Sequence, residues 1–182
     1  MLRGPSAVLY GAGSSGGLLN AVSKRPQWEF GGEIGLQAGN WDRKQLQVDI
    51  TGPLGDDFAG RFVGVVRDGD LMWEGQPNDK YIVMPSFTWK PGDKTDVTLI
   101  GLYQKEDMGT QTYLPMSKTL QANAGNPKIP IDFFVGEPNF NHMDTEQASV
   151  SLLVSHRFND LIAVNSNRSE EHTSELQSQN RI

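Results

Sequence analysis

The sequence predicts an all-β chain in which a short glycine-turned unit leads into a meander of antiparallel strands. Two observations predict it. From Trp28 onward apolar residues recur at every second position, and the alternating runs are separated by clusters of Gly, Pro, Asn and Asp. A third bounds the answer: no apolar run of about 18 residues occurs, so no segment reads as a membrane helix. That leaves a wall of strands open, because such strands face lipid with only every second residue.

The glycine-turned unit covers residues 1–27. Its opening reads as a strand end and a short helical turn, with Pro5 preset for the first turn. Gly11, Gly13, Gly16 and Gly17 then reverse the chain, residues 18–22 return as a strand, and Pro26 marks the exit.

The meander follows. Ile34, Leu36 and Ala38 share a face with Phe30, opposite Glu29, Glu33 and Gln37. After Gly39-Asn40-Trp41-Asp42, Leu46, Val48 and Ile50 alternate with Gln45, Gln47 and Asp49, which makes the pair a hairpin. Residues 52–57 form a turn cluster and 59–67 a third strand with less clean alternation. A polar loop at 68–80 precedes strands at 81–90 and 95–105, joined by Pro91-Gly92-Asp93-Lys94. Pro85 interrupts the first of these and marks a bulge or a weakly paired position. Residues 106–144 read as one irregular stretch punctuated by Gly109, Pro115, Gly125, Pro127 and Pro130. Residues 146–157 return as a strand, Asn159-Asp160 turns, and 161–164 starts another.

Composition excludes several classes. A net charge of −6 argues against a nucleic-acid partner, whose phosphates require a basic surface. With no cysteine there is neither a disulfide framework nor a thiolate metal site. His142, His156 and His172 lack any metal-ligand spacing, and Ser14 and Ser15 do not sit in a nucleophile elbow, so no catalytic set emerges. Gly11-Ala12-Gly13-Ser14-Ser15-Gly16 has the spacing of a dinucleotide-binding loop, but the long helix and second parallel strand that such a loop needs do not follow. On the residues alone, a soluble antiparallel sheet and a membrane barrel both remain open.

Specific segments decide between them by resemblance. Leu2-Arg3-Gly4-Pro5, Leu9-Tyr10-Gly11, Gly16-Gly17-Leu18-Leu19-Asn20 and Ser23-Lys24-Arg25-Pro26 resemble, in order and spacing, the end of the plug domain of TonB-dependent outer-membrane ferric-siderophore receptors. Ser15 stands where that family often has proline. Further on, Asp49-Ile50-Thr51-Gly52-Pro53-Leu54, Pro85-Ser86-Phe87-Thr88-Trp89, residues 129–138 and His156-Arg157-Phe158-Asn159-Asp160 are similar to receptor segments in the same order. The resemblance implies a fragment of a plugged antiparallel transmembrane β-barrel of about 22 strands, preceded by the C-terminal part of a small α+β plug. Residues 1–27 would be the end of the plug and 28–167 the first six to seven barrel strands. Met1 would be internal to a longer protein.

The same resemblance implies the function: uptake of a ferric siderophore across a Gram-negative outer membrane, energised by the periplasmic TonB complex, whose contact box would precede Met1. The siderophore would be cargo, with no cofactor and no metal site of the protein's own. Tyr10 matches an aromatic at the plug apex that touches the chelate in hydroxamate-type members, and Tyr113 matches an aromatic at the barrel mouth. Arg3 and Arg25 resemble plug arginines, the second of which would pair with barrel-wall carboxylates in strands beyond those present in this chain. Residues 168–178 instead resemble the translation of a common short-read sequencing adapter, which makes 168–182 a non-native tail.

Overall fold

The computed structural model describes residues 22–110, 114–123, 125–137, 140–159 and 162–177. Seven strands form one antiparallel sheet in which each pairs with its sequence neighbours: β1 (Gly31–Ala38), β2 (Lys44–Pro53), β3 (Phe58–Asp68), β4 (Asn78–Trp89), β5 (Thr95–Gly109), β6 (His142–Arg157) and β7 (Ala163–Gln177). The expected meander is the observed one. Most strands run past their expected ends. β5 continues from Lys105 to Gly109 and β6 begins at His142, because the pairing continues through polar residues such as Glu106↔Thr145 and Asp107↔Asp144, where side-chain alternation gives no signal. The irregular stretch shrinks to 110–141, whose described residues include a 3-10 turn at Met116–Lys118.

Pro85 produces no bulge. Val83↔Tyr103 and Ser86↔Ile100 share one register, so the second reading, a weakly paired position, is the one observed. Gly101 stands nearest, with its Cα hydrogen toward the proline ring: a Cβ there would lie 3.5 Å from Pro85 Cγ.

Register fixes which residues share a face, and the two faces differ sharply. Ile34, Leu36, Leu46, Ile50, Phe62, Val66, Tyr81, Phe87, Trp89, Leu99, Tyr103, Val150 and Leu152 all fall on one side, and all are exposed. The opposite side carries the buried residues, and most of those are polar: Thr51, Ser86, Thr88 and Thr98 alongside Ala59 and Ile100. Thr88 and Thr98 satisfy each other at 2.9 Å, and the Ser86 hydroxyl donates to the Arg61 carbonyl at 3.4 Å. A soluble sheet does the reverse, turning its apolar side inward.

The connections also segregate. Short turns at 54–57, 90–94 and 158–162 lie at one end, beside the start of β1; loops at 39–43, 69–77 and 110–141 lie at the other. The 39–43 loop is tight because Trp41 and Asp42 both have positive φ, 57° and 53°, and the Arg43 N–H donates to the Asn40 carbonyl at 3.5 Å. This is the mirror-image turn that suits strand twist, a conformation glycine adopts without strain. Asp42→Gly is therefore expected to stabilise the sheet by about 0.5–1 kcal/mol, read as a raised urea midpoint of the full-length protein in detergent.

Candidate functional site

Two polar clusters stand on the polar face. The first lies where residues 24–28, which lead into β1, cross β2 and β3. Arg61 grips Asp49 in a two-pronged pair, Nε to Oδ1 at 2.8 Å and Nη2 to Oδ2 at 2.7 Å. Its remaining nitrogen donates to the Arg25 carbonyl at 3.0 Å. Lys24 Nζ reaches the same Asp49 oxygen at 2.6 Å. The Gln27 N–H donates to Thr51 Oγ1 at 2.8 Å, and that hydroxyl in turn donates to the Gly60 carbonyl at 3.1 Å. Lys90 places its ammonium 5.6 Å from the Trp28 ring centroid, an electrostatic contact with the ring face.

The Asp49–Arg61 pair is well shielded, the side chains being 16% and 11% exposed, whereas Lys24 is 57% exposed. Planar guanidinium on planar carboxylate is the strong, direction-fixing form of ion pair. The second cluster is a row across the wall: Arg67 and Lys80, paired in register, both meet Glu106, at 3.2 and 3.3 Å. Arg67 Nε is buried there without a hydrogen-bond partner.

At the far end, loops 39–43, 69–77 and 110–141 converge. The Asp70 N–H donates to the Trp41 carbonyl at 2.8 Å and the Glu74 N–H to the Asp132 carbonyl at 3.2 Å. Between them lies an open cavity of about 480 Å³ walled by Trp41, Met72 and Trp73.

Three of the residues singled out from sequence, Arg3, Tyr10 and Tyr113, lie outside the described residues. Arg25 is described: its backbone carbonyl is engaged by Arg61, while its neighbour Lys24 supplies the charge that meets a strand carboxylate. Sequence reasoning did not single out Lys24, Asp49 or Arg61. Asp49 stood on the polar side of the alternation, but its partner emerges only once the register sets Thr51 opposite Arg61.

No family model matches the chain. Over 170 residues, 92% of its length, it is 35% identical to the ferrichrome outer membrane transporter/phage receptor of Escherichia coli. Over 161 residues, 87% of its length, it is 34% identical to the ferrioxamine B receptor of Salmonella typhimurium. The chain belongs to the TonB-dependent outer-membrane siderophore receptors. It spans 23% of the length of each of these two relatives. Among solved structures, the ferric-catecholate import receptor Fiu of Escherichia coli in its closed form superposes with a TM-score of 0.83 at 19% identity, covering 96% of this chain and 26% of that one. The ferripyoverdine receptor of the Pseudomonas aeruginosa outer membrane, bound to ferripyoverdine, gives 0.69 at 25% identity, over 86% of this chain and 21% of its own.

The family explains the inverted faces. Strands β1 to β6 are part of a receptor barrel, so the apolar side is the outer wall against lipid and the polar side lines the lumen. Aromatic pairs mark the two rims. Phe58 stacks on Trp89 at 6.2 Å, and Tyr81 meets Tyr103 edge-on at 6.2 Å with the Tyr103 hydroxyl donating to Glu146. Along β4, Tyr81 and Trp89 are eight residues apart. That is about 27 Å of strand, or about 20 Å of height at the usual tilt, which the rings extend toward the apolar band of about 25 Å.

Proposed function

We propose that the full-length protein imports ferric siderophores across the outer membrane of a Gram-negative bacterium, driven by the TonB complex. The inverted burial carries this reading. A wall with lipid-facing Ile, Leu, Phe and Trp and a lumen of Thr, Ser and ion pairs suits a barrel enclosing a polar plug. The relatives at 34–35% identity are named for ferrichrome and ferrioxamine, so hydroxamate chelates are the first cargo to test. Tyr10 and Tyr113 are the proposed chelate contacts, and Arg3 and Arg25 the proposed plug residues held near the wall. The protein binds and moves its cargo with no catalytic step.

The test is growth on ferrichrome or ferrioxamine B as the iron source, in a strain stripped of its own hydroxamate receptors and carrying the full-length gene. Growth is expected only where the TonB complex is intact. No growth on any ferric hydroxamate, or equal growth without TonB, overturns the reading. Within the same assay Tyr10→Ala is expected to weaken cargo binding by about tenfold, as for loss of one buried aromatic anchor.

We also propose that residues 168–182 are no part of the wall. β7 places Arg168 opposite Leu152, Glu170 opposite Val150 and His172 opposite Ala148, all on the lipid side. Three consecutive outward positions would thus put ionisable groups into hydrocarbon, at about 2–4 kcal/mol for the arginine alone at the midplane. Reading the genomic locus past codon 167 tests this: an apolar residue at alternate positions supports it, and recovery of the same Arg-Ser-Glu-Glu-His run overturns it.

A further inference from the structure

We infer that the cavity where loops 39–43, 69–77 and 110–141 converge is a seat for an organic ammonium group carried on an apolar arm, and that it favours cargo bearing such an arm. The seat deepens the import reading above, on which it rests, by naming a chemical feature of the cargo. Its wall is of two kinds. Trp41, Met72 and Trp73 supply ring and thioether surface, and Asp42, Asp70, Glu74 and Asp132 supply four carboxylates. Among the described residues no lysine, arginine or histidine lines the cavity, and none of the four carboxylates meets a cationic side chain. Arg43, adjacent to Asp42 in the chain, donates instead to Gln45 Oε1 at 3.4 Å.

The loops are tied before any ligand arrives. Asp70 bridges to Pro77 at the base of loop 69–77, the Leu71 N–H donates to the Gln76 carbonyl at 2.8 Å, and the Gln76 N–H donates to the Trp73 carbonyl at 3.2 Å. The Gln76 side chain is fully buried against Gly109 at the end of β5, which roots the loop in the wall. Chemistry then separates the ligands. A metal ion needs several carboxylates converging on one point, and among the described residues no group of three or more metal-ligating side chains is placed to hold one. A neutral apolar arm would meet the rings but leave four like charges uncompensated. An alkylammonium arm answers both: its charge offsets the carboxylates and rests on tryptophan faces, while its methylenes cover Met72. The carboxylates are exposed, so their pull is long-ranged and sensitive to salt; the rings give the close hold.

The experiment gives the full-length receptor, in nonionic detergent, two probes that differ at one group. Ferrioxamine B, one of the chelates named above, ends in a free primary amine; its N-acetylated form is neutral at that end. Calorimetry at low and high salt reads both affinities. The amine form is expected to bind about tenfold more tightly at low salt, with the gap narrowing at high salt. An Asp70→Asn, Glu74→Gln, Asp132→Asn variant is expected to lose most of the gap and keep its affinity for the acetylated form, which also reports that it is folded. Equal affinities in the parent, a comparison that needs no variant, or a gap undiminished in the variant overturn the seat. A receptor that binds neither probe fails the import reading for these chelates, and a measurement without cargo then decides the cavity. Butylpyridinium, an apolar cation that quenches tryptophan, is titrated into parent and variant: stronger quenching of the parent is expected, and equal quenching overturns the seat.

Discussion

Leu152→Arg is expected to destabilise the full-length barrel by about 2–4 kcal/mol, while Ser151→Arg, one residue away at nearly the same depth, should cost under about 1 kcal/mol. The two positions differ only in side. Leu152 lies beside Leu99 on the outer face and is 41% exposed, whereas Ser151 pairs with Ile100 on the lumenal face. An arginine on the outer face must carry its charge into hydrocarbon or drag water after it; on the lumenal face it stays on the polar side of the wall. Urea titration of the folded barrel in lipid vesicles, followed by tryptophan fluorescence, gives both values. Equal costs at the two positions would deny that the sheet divides lipid from lumen.

The second large effect concerns the 182-residue chain by itself. In detergent-free buffer it is expected to show no cooperative thermal transition as a monomer and to sediment as aggregates. Within the sheet, β1 and β7 each pair on one side alone, leaving two open edges of backbone donors and acceptors. The outer face adds a continuous apolar surface, with Leu36 80%, Ile34 68% and Val150 56% exposed. Small hydrophobic contacts on the lumenal side, Ala59 and Ile100 among them, cannot offset that. Circular dichroism on heating, with analytical ultracentrifugation, checks it. A sharp monomer transition would mean that the apolar side finds an internal partner.

The strands were legible in sequence wherever they cross the apolar band, because there the lipid imposes a two-residue period. Leu46, Val48 and Ile50 are an example: all three were assigned to one face and all three lie on it. Legibility failed at the ends, at Asn78–Lys80 and at Glu106–Gly109, where strands leave the band and both sides turn polar while the ladder continues. Pro85 was legible as a fault in pairing, but whether it bulged was not, because the answer lies in the β4–β5 register, which runs unshifted from Val83↔Tyr103 to Ser86↔Ile100. The polar contacts of residues 24–28 were not legible at all. Lys24, Asp49 and Arg61 are separated by 25 and 12 positions, and only the register of one hairpin brings the last two together. The chelate contacts stay expectations of the resemblance, since Tyr10 and Tyr113 lie outside the described residues.

The unbroken β1-to-β6 order has an evolutionary reach. Since, among the described residues, no strand pairs with any but its sequence neighbours, the circumference can grow or shrink one hairpin at a time, each gain or loss rejoining the same two neighbours. A lineage could therefore widen its bore by duplicating a β-turn-β stretch and leave every other seam of the cylinder untouched.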